Sequence, residues 1–257
     1  MRVRNFVLIG LLAAFPAIAE PLVGHQAAYE LSLEKARADV VAASGKMAYE
    51  VTDACDGWAV RQRLQMSVTN RDGQDVDMVS DYTTWEAKDG SKMRFRLKQM
   101  TDDAVTSEIA GEASFPGAGA AGSVHFTLPE ASDKSLPAGT LFPMAHTAAL
   151  LKAAQESKKF IALPLFDGTS AAGAQDSTVA IAQWSPAAPS KWKDLAPLSS
   201  GRVRIAFFDK DNTNQQPDYE VGMRYWANGV ADDLSMDFGE FIMHATLAKF
   251  KITPGSC

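Results

Sequence analysis

Trp58-Ala59-Val60-Arg61-Gln62-Arg63-Leu64-Gln65-Met66-Ser67-Val68 reads with a period of two. Trp58, Val60, Leu64, Met66 and Val68 fall on one parity, and Arg61, Arg63, Gln65 and Ser67 lie between them. Successive side chains of a strand point to opposite faces, so this stretch is a strand with one dry face. Asn70-Arg71-Asp72-Gly73 then supplies turn chemistry, and a second run passes through Val76, Met78 and Tyr82 to Trp85. Asp89-Gly90 turns the chain again into Met93, Phe95 and Leu97, which alternate with Arg94, Arg96 and Lys98.

The same rhythm recurs on both sides of this meander. His25 to Glu34, Met47 to Thr52, Val105 to Ala113, Ser123 to Leu128, Phe160 to Phe166, Val179 to Trp184, Arg202 to Phe208 and Phe241 to Ile252 read as strands. Asn228-Gly229 is the clearest hairpin signal, because both residues tolerate φ > 0 and the flanks, Tyr219 to Trp226 and Val230 onward, are β-like. The total is a dozen or more strands. Pro143 to Ser157 breaks the rhythm: it is rich in Ala and Leu, Pro143 suits a first helical turn and Thr140 precedes it as a candidate cap. Leu150, Ala153 and Ala154 are placed to face the sheet, and Lys158 and Lys159 suit the negative end of the helix dipole. One helix among many antiparallel strands predicts a mainly β, single-domain open barrel with the helix covering a gap.

The first nineteen residues read differently. Arg2 and Arg4 precede an apolar run from Phe6 to Phe15, and Ala17-Ile18-Ala19 is a small-x-small cleavage pattern. That order is a secretory signal peptide cleaved after about Ala19, too short to span a bilayer, with residues 20–257 as the mature domain. Removing its two arginines leaves 23 basic against 31 acidic residues, a net of −8. This balance argues against nucleic acid, whose phosphates call for clustered Lys and Arg. No later stretch approaches the ~18 apolar residues of a transmembrane helix. The expectation is a soluble monomer in the periplasm. The chain has two cysteines, Cys55 and the terminal Cys257, and two cysteines in an exported chain are more often paired than free.

Several dispersed tracts then occur in one order: His25-Gln26-Ala27-Ala28-Tyr29, Ser107-Glu108-Ile109-Ala110-Gly111-Glu112-Ala113, Leu141-Phe142-Pro143-Met144-Ala145-His146-Thr147, Phe166-Asp167-Gly168, Pro217-Asp218-Tyr219-Glu220-Val221, Asn228-Gly229-Val230 and Asp237-Phe238-Gly239-Glu240-Phe241. The succession resembles the EipB family of alphaproteobacterial cell-envelope integrity proteins, long catalogued as a domain of unknown function. The resemblance implies a periplasmic, spiral-like open β-barrel with an associated helix. It also implies a disulfide joining an early strand region to the C-terminus, where Cys55 and Cys257 are placed, and a role in envelope maintenance under stress without an established reaction. Gln26 and the Met144-Ala145 helix entry depart from the pattern.

Motifs with catalytic or ligand-binding outlines have plainer explanations. Gly117-Ala118-Gly119-Ala120-Ala121-Gly122 spells G-x-G-x-x-G, but a strand pattern follows it where a dinucleotide site needs a helix. Asp209-x-Asp211-x-Thr213 with Glu220 outlines a calcium loop, yet Asn214 replaces the turn glycine and the flanks look like strands. His25, His125, His146 and His244 show no metal-ligand spacing, and neither a metal nor a cofactor is expected. No G-x-S-x-G elbow is present, and Glu108 with Glu112 or Asp237 with Glu240 reads as charge on solvated strand faces. The five tryptophans and ten methionines read as barrel core, or as the walls of an apolar groove.

The chain is therefore expected to be a non-enzymatic envelope protein that binds an extended peptide, a periplasmic protein partner or a hydrophobic envelope component. A half-barrel carrier of lipid or lipoprotein is the second reading, and a hydrolase of envelope polymers using His146 or His25 the third. The residues singled out as binding or structural candidates are His25, Tyr29, His146 and Thr147.

Overall fold

The computed structural model describes residues 22–209, 216–255 and 257. The strands are β1 (His25–Ala36), β2 (Val40–Asp53), β3 (Gly57–Asn70), β4 (Asp75–Ala87), β5 (Lys92–Thr101), β6 (Ala104–Ser114), β7 (Gly122–Leu128) and β8 (Ser132–Leu136). Helix α1 (Pro143–Gln155) follows, then β9 (Phe160–Leu165), β10 (Gln175–Ser185), β11 (Ser200–Phe208), β12 (Tyr219–Trp226), β13 (Ala231–Asp237) and β14 (Phe241–Ile252). All fourteen form one antiparallel sheet in the order β8-β7-β6-β5-β4-β3-β2-β1-β14-β13-β12-β11-β10-β9. Every neighbour in that order is also a neighbour in sequence, except that β1 pairs with β14. The fold is thus an up-and-down meander joined through its first and last strands, with its seam between β8 and β9.

The alternation read from the sequence is the alternation of burial. Val60, Met66 and Val68 of β3 are buried, whereas Arg61 and Arg63 are exposed. The strand β8 carries no period-two signal: Ser132 to Ser135 are exposed and only Leu136 is buried. Sequence reading passes over it because this short edge strand buries only Leu136 and so shows no dry face.

The seam is not left bare. Leu141 bridges Leu165 in parallel, and the Leu141 N–H and C=O bond to Pro164 O and Phe166 N at 2.9 Å each. Phe142 and Phe166 pack with Phe95 and Phe126 from the inner face of the β5–β8 half. Gly168 is drawn against this cluster with φ +72, and a Cβ there would meet Phe95 at 2.4 Å, so only glycine fits. From the far side, Lys134 Nζ of β8 donates to Ala172 O.

The helix does more than cover a gap. Met144, His146, Leu150, Leu151, Ala153 and Ala154 are all buried, which leaves little solvated face. Leu150, Leu151, Ala153 and Ala154 join the main core with β1–β3 and β9–β14, and Met144 packs on Val51 and Val60. The helix therefore lies across one end of the barrel interior. Its expected cap is not Thr140, whose hydroxyl donates to Pro137 O at 2.8 Å. The N-cap position is Phe142, without a side-chain cap. Glu86 of β4 replaces it from across the barrel: its carboxylate accepts the N–H of Met144 at 2.7 Å and of Ala145 at 2.8 Å.

Cys55 and Cys257 form a disulfide across 202 residues, with Cα atoms 5.6 Å apart. It fastens the tail beyond β14 to the β2–β3 turn. At the β12–β13 hairpin only Gly229 takes positive φ, +87. Asn228 instead closes the turn with its amide oxygen on Val230 N, while its backbone oxygen accepts Val23 N. Among the described residues no helix is long and apolar enough to cross a membrane.

Candidate functional site

Inside the barrel, between the helix and the opposite rim, lies a cleft of about 550 Å³. Recesses of about 270 and 380 Å³ adjoin it, sharing Tyr49, Gln62, Leu64 and Phe238 among their lining residues. The volume falls in the ordinary range of small-molecule sites. Its two walls differ in chemistry. From β11, β12 and β13 come Phe207, Val221, Met223 and Met236, with Phe238 just beyond β13. Phe207 stacks on Tyr219, Tyr219 meets Phe238 at 5.7 Å, and Phe238 stacks on Phe241 at 5.2 Å. Leu64, Met66, Met78 and Met100 line a recess together with Phe238 and Phe241 of this ladder.

The other wall is polar, and Asp167 is the one carboxylate among the described residues that line the cleft. Gln62 of β3, Ser80 and Thr84 of β4, and Gln99 of β5 point inward beside Tyr49 and Tyr82. These positions were overlooked in the sequence, although a signal was present. Gln62 shares parity with Val60 and Leu64, so a polar residue interrupts an otherwise dry face. Ser80 and Thr84 interrupt the Met78–Tyr82 parity, and Gln99 follows Leu97 in the same way. A polar residue at a core position is either an error of pattern or a sign of a site.

Thr147, Tyr225 and Tyr29 cluster around the helix end of this space. Thr147 lines the cleft within hydrogen-bonding reach of Tyr225, and Tyr29 lines the adjoining recess while donating to Ala231 O at 2.7 Å. Burial raises the phenol pKa of Tyr29, Tyr49 and Tyr225, keeping all three protonated as donors. His146 borders the cleft as well, but its Nε2 meets Ser177 Oγ at 2.8 Å and that hydroxyl donates to Leu163 O at 2.7 Å. With the Ser177 proton committed to a carbonyl, the imidazole donates and the chain of bonds ties α1 to β9 and β10. Burial depresses the His146 pKa to about 4, so it is neutral at pH 7. His25 sits apart: it bonds Val23 O at 3.0 Å and packs on Tyr49 and Phe250. Of the four candidates, Tyr29, His146 and Thr147 are thus gathered at one place and His25 anchors the start of β1.

The remaining motifs lie elsewhere. His125 pairs with Asp133 and His244 with Asp233 on exposed or half-exposed surface. Glu108 pairs with Arg96, and Asp237 with Arg37. Gly117 to Gly122 form the β6–β7 connection, ahead of a strand. Residues 210–215 of the calcium-like outline, and the signal-peptide pattern, fall outside the described residues. Among the described residues no three His, Cys, Asp or Glu side chains are grouped to hold a metal ion.

A family model described as EipB-like matches residues 16–254, nearly the entire chain. The chain belongs to the EipB-like family. The cell envelope integrity protein EipB of Brucella abortus (strain 2308) is 30% identical over 248 residues, covering 93% of this chain and 88% of that protein. The crystal structure of a β-barrel-like protein of a domain of unknown function from Brucella abortus superposes with a TM-score of 0.83 at 28% identity. That match covers 92% of this chain and 100% of the other. This EipB-like chain is therefore a homologue of an envelope integrity protein with the same barrel-like fold, and its Cys55–Cys257 disulfide is consistent with export.

Proposed function

We propose that this protein is a monomeric, non-catalytic binding protein of the periplasm that supports envelope integrity by holding a hydrophobic envelope component in its barrel interior. The observation that carries the reading is the cleft between a methionine rim and an aromatic ladder, because flexible thioethers and large rings accept apolar chains of varied shape. Binding of an extended peptide along an edge is less well served. The strand β8 is five residues long with Asp133 and Lys134 on it, and Leu141 already occupies part of the β9 edge. Similarity to EipB supports the envelope role.

The test is a cleft-filling variant. Leu64→Trp adds bulk where β3 faces the cavity, without burying a charge. In a deletion strain, the wild-type gene is expected to restore detergent resistance, while Leu64→Trp, folded and exported at wild-type level, is expected to fail. Full complementation by that variant would defeat the proposal.

A further inference from the structure

The chemistry of the two walls narrows the ligand, an inference that rests on reading the cleft as a hydrophobic binding site. Among the described residues lining the cleft and its recesses there is no Lys or Arg. A carboxylate or phosphate head buried there would have only neutral donors, and an unpaired buried charge is strongly disfavoured. A cationic head finds no free acceptor, because Asp167, the one carboxylate on the lining, and Glu86 beside it already accept hydrogen bonds. Asp167 accepts Thr169 N and Oγ1 on one oxygen and Gln175 Nε2 on the other. Glu86 is spent on the helix N-terminus.

What the cleft does offer is a group of neutral donors and acceptors beside the helix, and methionine and aromatic contacts in the recess at Phe238 and Phe241. Gln62 and Tyr49 border both the main space and the recess beside Tyr225, and Thr147 completes the group from α1. A purely apolar chain would add no hydrogen bond to these groups, whereas a hydroxyl or ester head would use their remaining donor and acceptor capacity.

We propose that the cleft selects an uncharged acylated amphiphile, its hydroxyl or ester head against Gln62, Tyr49, Tyr225 and Thr147 and its chain between the methionines and aromatic rings of the recess at Phe238. Selection arises from a lining without Lys or Arg whose one carboxylate, Asp167, is already hydrogen-bonded: charged heads of equal chain length are rejected by desolvation, and the hydroxyl-bearing head is held by hydrogen bonds.

The experiment uses the full mature protein and the uncharged fluorescent reporter N-phenyl-1-naphthylamine, displaced by monoolein, oleate at pH 8, lysophosphatidylglycerol or oleylamine. Monoolein is expected to displace it at concentrations about tenfold below the three charged lipids. The double variant Tyr49→Phe/Tyr225→Phe, checked for an unchanged fold by circular dichroism, is expected to lose about tenfold more in monoolein affinity than in reporter affinity. The variant Gln62→Leu, should the first fail to fold, carries the same expectation. Charged lipids competing as well as monoolein, or hydroxyl-deleted variants with unchanged monoolein affinity, would overturn the assignment of the head group. Failure of the reporter and of every lipid to bind would instead overturn the reading of the cleft itself.

Discussion

Glu86 and His146 are two buried ionisable residues on opposite flanks of the helix start, and their effects on stability run in opposite directions with pH. Burial raises the Glu86 carboxyl to about 7, partly offset by the two N–H bonds it accepts. The folded protein therefore holds a proton that the unfolded chain has lost, and stability from this group falls as pH rises from about 4.5 to about 7. Burial lowers His146 to about 4, so the unfolded chain takes up a proton that the folded protein refuses, and stability falls as pH drops from 6.5 toward 4. In the wild type these slopes nearly cancel between pH 5 and 6.5. Glu86→Gln removes one of them, so acidification from pH 6.5 to 5 is expected to destabilise the variant by about 2 kcal/mol more than the wild type. Urea unfolding at both pH values measures this, and parallel pH profiles for the two proteins would refute the assignment. The cap that motivates the experiment was invisible in sequence. Glu86 lies on the dry parity of a strand, 58 residues before the amide it serves, and no local rule for helix starts looks that far.

At the scale of elements, the helix and the terminal strands were legible, whereas their docking was not. Pro143, the Ala/Leu run and the buried Leu150, Ala153 and Ala154 follow from local pattern. That the helix lies across the interior follows only from contacts with β2, β3, β9 and β10. The last strand is held twice, by its ladder with β1 and by the disulfide beyond it. Closing a loop of this length constrains the unfolded chain by up to about 5 kcal/mol in the chain-entropy model. Cys55→Ser, Cys257→Ser and the double variant are expected to lower the melting temperature equally, since each removes the same single bond. Thermal melts of the oxidised wild type and the three variants decide the point; unequal shifts, or thiol labelling of the native wild type, would contradict it.

For the whole molecule, the seam between β8 and β9 sets where the barrel yields. Long ladders join β1, β2, β3 and β4, whereas β8 contributes only five pairs to β7. Opening free energies follow contact density and hydrogen bonding. Native-state hydrogen exchange is expected to be fastest in β7–β8 and slowest in β1–β3 and β14. Uniform protection across all fourteen strands would show that the seam is as firmly closed as the rest.

Alternating parity and turn chemistry were sufficient to determine a mainly β chain with one helix, and two cysteines behind an export-like leader made their pairing the expectation. Each is a property of neighbouring residues or of compartment, and so is written in one dimension. The seam, the Glu86 cap and the gathering of Gln62, Tyr49, Tyr225 and Thr147 around one space were decided only in three dimensions. Whether a polar side chain on a dry face meets an amide, a partner or a cavity depends on what the curled sheet brings opposite it, across tens to hundreds of residues.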